Sequence, residues 1–187
     1  MRISKEPEIR KQEIIDVAMK VFNQKGYEAA TMKDIAEAAG VVPGLCYHYF
    51  RNKQELYQAA VSQYARECSR SFIGVFSRTD LTLWQCLDLL EEISVKQDRE
   101  YEYKDFFDKE GNELFHKQLE LYMSKEIFPY VQKYLDCLAE RKEIVCENTY
   151  LFARFFWEGQ MAVISEPDIP IEERIRFIRD MMKRLVR

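Results

Sequence analysis

Glycine and proline are scarce in this chain, six and five among 187 residues. A many-stranded protein needs more turn residues than that, and no strand-like alternation stands out, so an all-helical fold is expected. No apolar run reaches the about 18 residues that a membrane-spanning helix requires. Residues 1–7 show no cleavable signal pattern, so a cytoplasmic protein with no membrane partner is expected. Histidine is limited to His48 and His116, and H-E-x-x-H, G-x-S-x-G and phosphate-binding glycine loops are missing. These absences argue against an enzyme and leave neither a cofactor nor a metal to expect. The five cysteines (46, 68, 86, 137 and 146) are odd in number and form no C-x-x-C pair. In a reducing compartment they are expected as free, mostly buried thiols. Strong positive charge is missing too: the net charge is −4, with +2 over residues 1–53 and −6 over the rest. Charge alone does not reveal a nucleic-acid binder, and any DNA affinity must rely on geometry as much as on bulk attraction.

What is present is a core's worth of apolar residues, 47% hydrophobic with 32% charged, ordinary for a globular chain of one domain or two small ones. The most informative stretch is TMKDIAEAAGVVPGLCYHYFRNK at 31–53. Thr31 and Asp34 form the [ST]-x-x-[DE] capping box and start a helix at Met32. Ile35, Ala36 and Ala39 give that helix a small-residue face, and Gly40 stands where it must stop. Pro43 suits the first turn of the next helix. Cys46 and Phe50, four apart, turn inward together, which leaves Pro43, Gly44, Tyr47 and His48 on the other side. Helix, glycine turn, helix is the helix-turn-helix pattern, and the second helix is the one whose N-terminal end enters a DNA major groove. Asn52 and Glu55 offer a further N-cap, with Lys53 in its first turn as a phosphate contact.

The T-x-x-x-I-A-x-x-A-G-V, P-G-x-x-Y-x-Y-F and K-x-x-L pattern of 31–56 resembles the DNA-binding segment of the tetracycline-repressor (TetR) family of bacterial transcription regulators. The resemblance extends back to Arg10 and covers about the first third of the chain. It implies a three-helix helix-turn-helix head at 1–53, with its motif at 31–50, and a helical effector-binding and dimerisation body at 54–187. Residue by residue, it implies that Lys33, Pro43, Gly44 and Tyr47 approach base edges. Thr31, Leu45 (through its backbone), His48, Tyr49 and Lys53 would lie along phosphates, while Cys46 and Phe50 belong to the core. Pro43 and Leu45 carry no side-chain donor, so readout leans on Lys33 and on contact with thymine methyls. Two positions depart from the family pattern. Val42 replaces the usual small polar cap, at a cost of ~1 kcal/mol, and Met32 lacks the hydroxyl often found there.

Along the rest of the chain, Arg2 and Lys5 sit in an N-terminal arm that could reach a groove or a phosphate. A first helix over 7–25 carries Ile14, Val17, Ala18, Val21 and Phe22 on one stripe. A fourth helix runs from 52 to about 76. Thr79 or Asp80 should cap a fifth, bearing Leu83, Trp84, Leu87, Leu90 and Ile93. A loop or short helix is expected over 98–113, helices over 113–124 and 125–141 with Pro129 in the first turn of the second, and helices over 143–165 and from 171 onward. Aromatic side chains are dense over 101–134, and with those of the later helices they could line an apolar cavity. The candidate lining is Trp84, Tyr101, Phe106, Phe107, Phe115, Tyr122, Phe152 and Phe156. The last two helices are candidates for a four-helix dimer interface, through Phe155, Gly159, Val163, Ile171, Ile175, Ile178 and Met182.

The function this implies is a homodimeric repressor that binds a near-palindromic double-stranded DNA operator and releases it when a small apolar or aromatic effector binds. The alternative is a DNA-bound scaffold or adaptor that needs no small molecule.

Overall fold

A computed structural model describes residues 6–100, 102–107, 109–166 and 168–185, without the side chains of 98–100, 104, 105 and 185. Arg2, Lys5 and Tyr101 therefore lie outside the described residues. Among those described there are nine helices and no strand.

The first four helices follow from local chemistry. α1 (Pro7–Lys25) starts on a proline, whose missing N–H costs nothing in a first turn, and ends at Gly26 with φ of 77°. α2 (Met32–Ala38) has the complete capping box: Asp34 N–H donates to the Thr31 hydroxyl, and the Asp34 carboxylate accepts from Thr31 N–H. It closes with a Schellman motif, Gly40 N–H donating to Glu37 O and Val41 N–H to Ala36 O. Gly40 there has φ of 64°, the left-handed conformation only glycine adopts cheaply. α3 (Pro43–Tyr49) begins at Val42 without a side-chain cap. α4 (Lys53–Phe76) is capped by the Asn52 carboxamide, which accepts from Glu55 N–H, while the Glu55 carboxylate accepts from Arg51 N–H.

Beyond α4 the elements depart from several expectations. α5 (Leu83–Glu100) is capped by Thr82, not by Thr79 or Asp80, because Thr82 and Gln85 form a reciprocal box. α6 (Lys104–Phe107) is one turn. The two helices expected over 113–141 are a single α7 (Glu113–Glu140) that runs through Pro129. An interior proline removes one backbone hydrogen bond; here Pro129 and Lys125, whose carbonyl loses that donor, are both exposed. α8 (Thr149–Ile164) starts six residues later than expected, at the Asn148 cap, whose side chain accepts from Leu151 N–H. Val145 consequently stands in the preceding loop and is exposed. α9 (Ile171–Leu185) closes the described chain.

The helices form two compact units, Met1–Ala65 with Tyr103–Tyr122, and Arg66–Glu102 with Met123–Arg187. This division differs from the 1–53 and 54–187 boundary drawn from the sequence, since α4 and α7 each supply a segment to both units. The first unit buries Ile14, Phe22, Ile35, Phe50 and Leu56 and closes over them with Tyr57, Phe106 and Phe107. The second packs Phe76, Leu83, Cys86, Tyr134, Leu138 and Trp157 into one core.

Candidate nucleic-acid interface

In the first unit α3 is held with one face in and one face out. Cys46 is fully buried and Phe50 nearly so. Val42, Pro43, Gly44, Tyr47 and His48 are exposed, Tyr47 by 56%. A Cβ built on Gly44 would meet nothing within 4 Å, so nothing inside the chain demands glycine there. His48 stacks edge-on with Tyr49, ring centroids 5.0 Å apart, and Tyr49 is half-buried. Lys33, on α2, is exposed and makes no hydrogen bond or ion pair among the described residues.

The contact set drawn from the motif needs three revisions. Thr31 has no donor to give a phosphate: its hydroxyl donates to the Asp34 carboxylate at 2.6 Å and its N–H donates to the same oxygen at 2.9 Å. Leu45 N–H is committed to Val42 O at 2.9 Å, so its backbone is not a free donor. Lys53 turns back into its own unit. Its ammonium donates to Tyr27 O at 2.6 Å and Glu28 O at 3.1 Å and lies 4.5 Å from the Tyr27 ring centroid. It clamps the α1–α2 turn instead of facing outward. Arg51, which sequence reasoning passed over, is exposed with no side-chain partner among the described residues. The signal was a cation directly after the Y-H-Y-F segment.

Electrostatics hold the motif in shape. Lys25 Nζ meets Asp34 Oδ1 at 2.6 Å, tying the end of α1 to the start of α2. The Lys25 ammonium, with the Thr31 hydroxyl and N–H, holds the Asp34 carboxyl well below the usual carboxylate range. On the opposite flank Gln12 bonds both Asp16 and Gln63, and Gln63 also donates to Asp16 at 2.7 Å, pinning α1 to α4.

The expected effector lining does not come together. Phe106, Phe107 and Phe115 belong to the first unit. Phe115 lies 5.1 Å from both Tyr27 and Tyr57, and Phe107 stacks on Tyr64 at 5.9 Å. They complete that unit's core. Tyr122, half-buried, accepts from Gln118 in the same unit, and Trp84 is exposed. Of these, only Phe152 and Phe156 line the small, partly open apolar cavity of the second unit, about 40 Å³.

The residues expected at a dimer surface divide between exposed and buried positions. Phe155 is 76% exposed and Gly159 is exposed, with nothing within 4 Å of a Cβ built on it. Val163 and Ile178 are half-buried. Ile171, Ile175 and Met182, by contrast, are buried in their own unit. The outward apolar residues of α9 are instead Phe177, 55% exposed, and Met181. Phe177 and Met181 form a second i, i+4 pair, visible in the sequence but outweighed there by the richer stripe.

The head has the helix-turn-helix arrangement, and known proteins share it. Residues 14–60 match the family model described as bacterial regulatory proteins, tetR family. The HTH-type transcriptional repressor KstR2 of Mycolicibacterium smegmatis is 25% identical over 178 residues, 94% of this chain and 77% of that protein. The HTH-type transcriptional regulator BetI of Brucella anthropi is 35% identical over 79 residues, 42% of this chain. That match spans 40% of the BetI regulator's own length. In fold, the chain resembles a TetR-family transcriptional regulator from Pectobacterium atrosepticum with a TM-score of 0.73 at 17% identity, over 99% of this chain and 98% of that one. The tetR-family match therefore lies in the N-terminal head, at residues 14–60. Among the described residues no group of His, Cys, Asp and Glu could hold a metal, and no helix is long and apolar enough to cross a membrane.

Proposed function

We propose that the protein is a homodimeric, ligand-responsive transcriptional repressor that binds a near-palindromic operator. The observation that carries the reading is the α3 face. An exposed proline, a glycine the fold does not need, and an exposed tyrosine follow one another on a helix whose opposite side is wholly buried. Two such helices related by a two-fold axis enter successive major grooves about 34–36 Å apart. Pro43, Gly44, Tyr47 and Lys33 meet base edges, and His48, Tyr49 and Arg51 lie along the backbone. Pairing of two copies through Phe155, Gly159, Phe177 and Met181 covers a surface that is otherwise apolar and exposed. The domain roles follow: the N-terminal unit reads DNA, and the second unit binds the effector and dimerises.

Selection of DNA sequences by the purified protein, followed by binding to the enriched site at two salt concentrations, tests this. A palindromic site with a steep salt slope supports the repressor. Weak, sequence-indifferent binding overturns it. A DNA-bound adaptor without a small effector is the second reading, and the small size of the partly open cavity in the second unit favours it: about 40 Å³ against roughly 300–1,000 Å³ for ligand sites.

A further inference from the structure

Val42 belongs to neither core. It stands at the start of α3, 65% exposed, and gives that helix no side-chain cap. Its backbone is fixed from both sides. The preceding residue, Val41, donates its N–H to Ala36 O at 2.9 Å, and Val42 O accepts from Leu45 N–H at 2.9 Å. A β-branched side chain on a pinned backbone has little χ1 freedom, so its two methyls hold one direction. That direction is outward, since α3 meets the core with Cys46 and Phe50 instead.

The neighbours extend the same chemistry. Pro43 is exposed, Gly44 adds no side chain, and Tyr47 is 56% exposed. Residues four apart share a helix face, which puts the Tyr47 ring beside Pro43. Up to the Tyr47 hydroxyl, the outward side chains of this stretch carry neither donor nor acceptor. Backbone donors add little: Pro43 has no N–H, and Leu45 N–H is taken by Val42 O. Two cations of the head are turned inward as well, Lys25 to Asp34 and Lys53 to Tyr27 O and Glu28 O.

Such a patch can recognise one feature of a base pair. The polar edges of guanine, adenine and cytosine in the major groove need a hydrogen-bonding partner, and a valine pressed against them leaves them desolvated. The thymine 5-methyl is the apolar group in the major-groove code. We propose that Val42 is a specificity-determining residue that packs against a thymine 5-methyl, so that each operator half-site holds a T·A pair recognised there by its methyl and not by its hydrogen-bonding edge. This rests on the DNA-binding reading above. The same group on cytosine fits the same place, so 5-methylcytosine is accepted at that position where cytosine is not.

The probe is the operator selected by the intact chain, with thymine replaced by deoxyuridine one position at a time in both half-sites. Uracil keeps the pairing and the O4 acceptor and lacks only the methyl. In fluorescence anisotropy the wild-type protein should bind about fourfold more weakly per half-site at one position, about fifteenfold for the symmetric pair, from the lost burial of one carbon. Cytosine there should bind weakly, and 5-methylcytosine about fourfold better per half-site. Val42→Ser supplies the missing cap and so favours the fold. It should bind the thymine and uracil operators within about twofold of each other, because the two losses share one contact. Uracil tolerated by the wild type at every position overturns the proposal. A uracil penalty of equal size in wild type and Val42→Ser also overturns it, since the methyl then belongs to another side chain. If the chain selects no sequence at all, the DNA-binding reading fails and this one with it; a selected operator indifferent to uracil sinks this one alone.

Discussion

Replacing Tyr57 with phenylalanine should stabilise the protein, the reverse of what most core substitutions do. The side chain is 2% exposed. Its ring is held edge-on by Phe22 at 5.4 Å and Tyr27 at 5.0 Å, with Phe115 tilted against it at 5.1 Å. Its hydroxyl has no hydrogen-bond partner among the described residues. Burial, with the Tyr27 and Tyr122 phenols nearby, raises its pKa and keeps it neutral. A buried, unpaired hydroxyl costs about 1–3 kcal/mol. Phenylalanine keeps the ring contacts and loses only the oxygen, so after a small loss of packing the net gain should be ~1 kcal/mol. For a chain of this size that is a midpoint shift of about 2–4 °C. Tyr134→Phe is the matched control. Its hydroxyl donates to Leu81 O, and removing that bond should cost ~0.5–1.5 kcal/mol, softened because Arg141 still donates to the same carbonyl at 2.6 Å. Urea unfolding followed by far-ultraviolet circular dichroism measures both, with the m-value checked for constancy. A Tyr57→Phe protein that unfolds at lower urea than wild type would refute the reasoning and mean that the hydroxyl is satisfied.

The remaining expectations concern the head and the pairing surface. The Asp34 carboxyl is held below its ordinary 3.8 by Lys25 and Thr31, so its contribution to stability is full above that pH and is lost as pH falls toward the folded value. The gap in urea midpoint between wild type and Asp34→Asn should therefore close on acidification below about 4, and a gap independent of pH would contradict the assignment. Lys53→Met should lower the unfolding midpoint, because Tyr27 O and Glu28 O lose their shared donor. Arg51→Ala should leave the midpoint alone and reduce the operator salt slope by about 1; the opposite pattern would return Lys53 to the phosphate. Phe155→Glu and Phe177→Glu should each weaken self-association in sedimentation equilibrium while leaving the helical signal unchanged. Ile175→Glu should instead unfold the second unit, since Ile175 is buried.

The helix-turn-helix was legible because each of its features is decided within a few residues. A threonine with an aspartate three residues on caps α2, and a glycine at φ of 64° ends it. The i, i+4 pair of Cys46 and Phe50 fixes which side of α3 faces in, and the α3 bounds follow from Pro43. Side-chain commitments were not legible in the same way. Whether Lys53 points at solvent or at a carbonyl 26 residues earlier depends on where the α1–α2 turn lands, and spacing around Lys53 says nothing about that. The aromatics of 104–115 failed for a related reason. Their density announces a buried cluster, but which core they enter is a matter of chain return, and Phe106, Phe107 and Phe115 return to α1 and α4.

α9 shows the limit most clearly, and it bears on function. Its sequence carries two apolar rows, Ile171, Ile175, Ile178 and Met182, and the sparser Phe177 and Met181. Periodicity establishes that the helix is amphipathic but does not assign either row to self or partner. A monomer's own core claims the longer row first, since each buried Ile or Met side chain is worth about 1.5–3 kcal/mol toward folding. What is left outside is the shorter row, as are Phe155 and Gly159 of α8. As a pairing surface those leftovers would offer few apolar residues with which to outweigh the entropy of association.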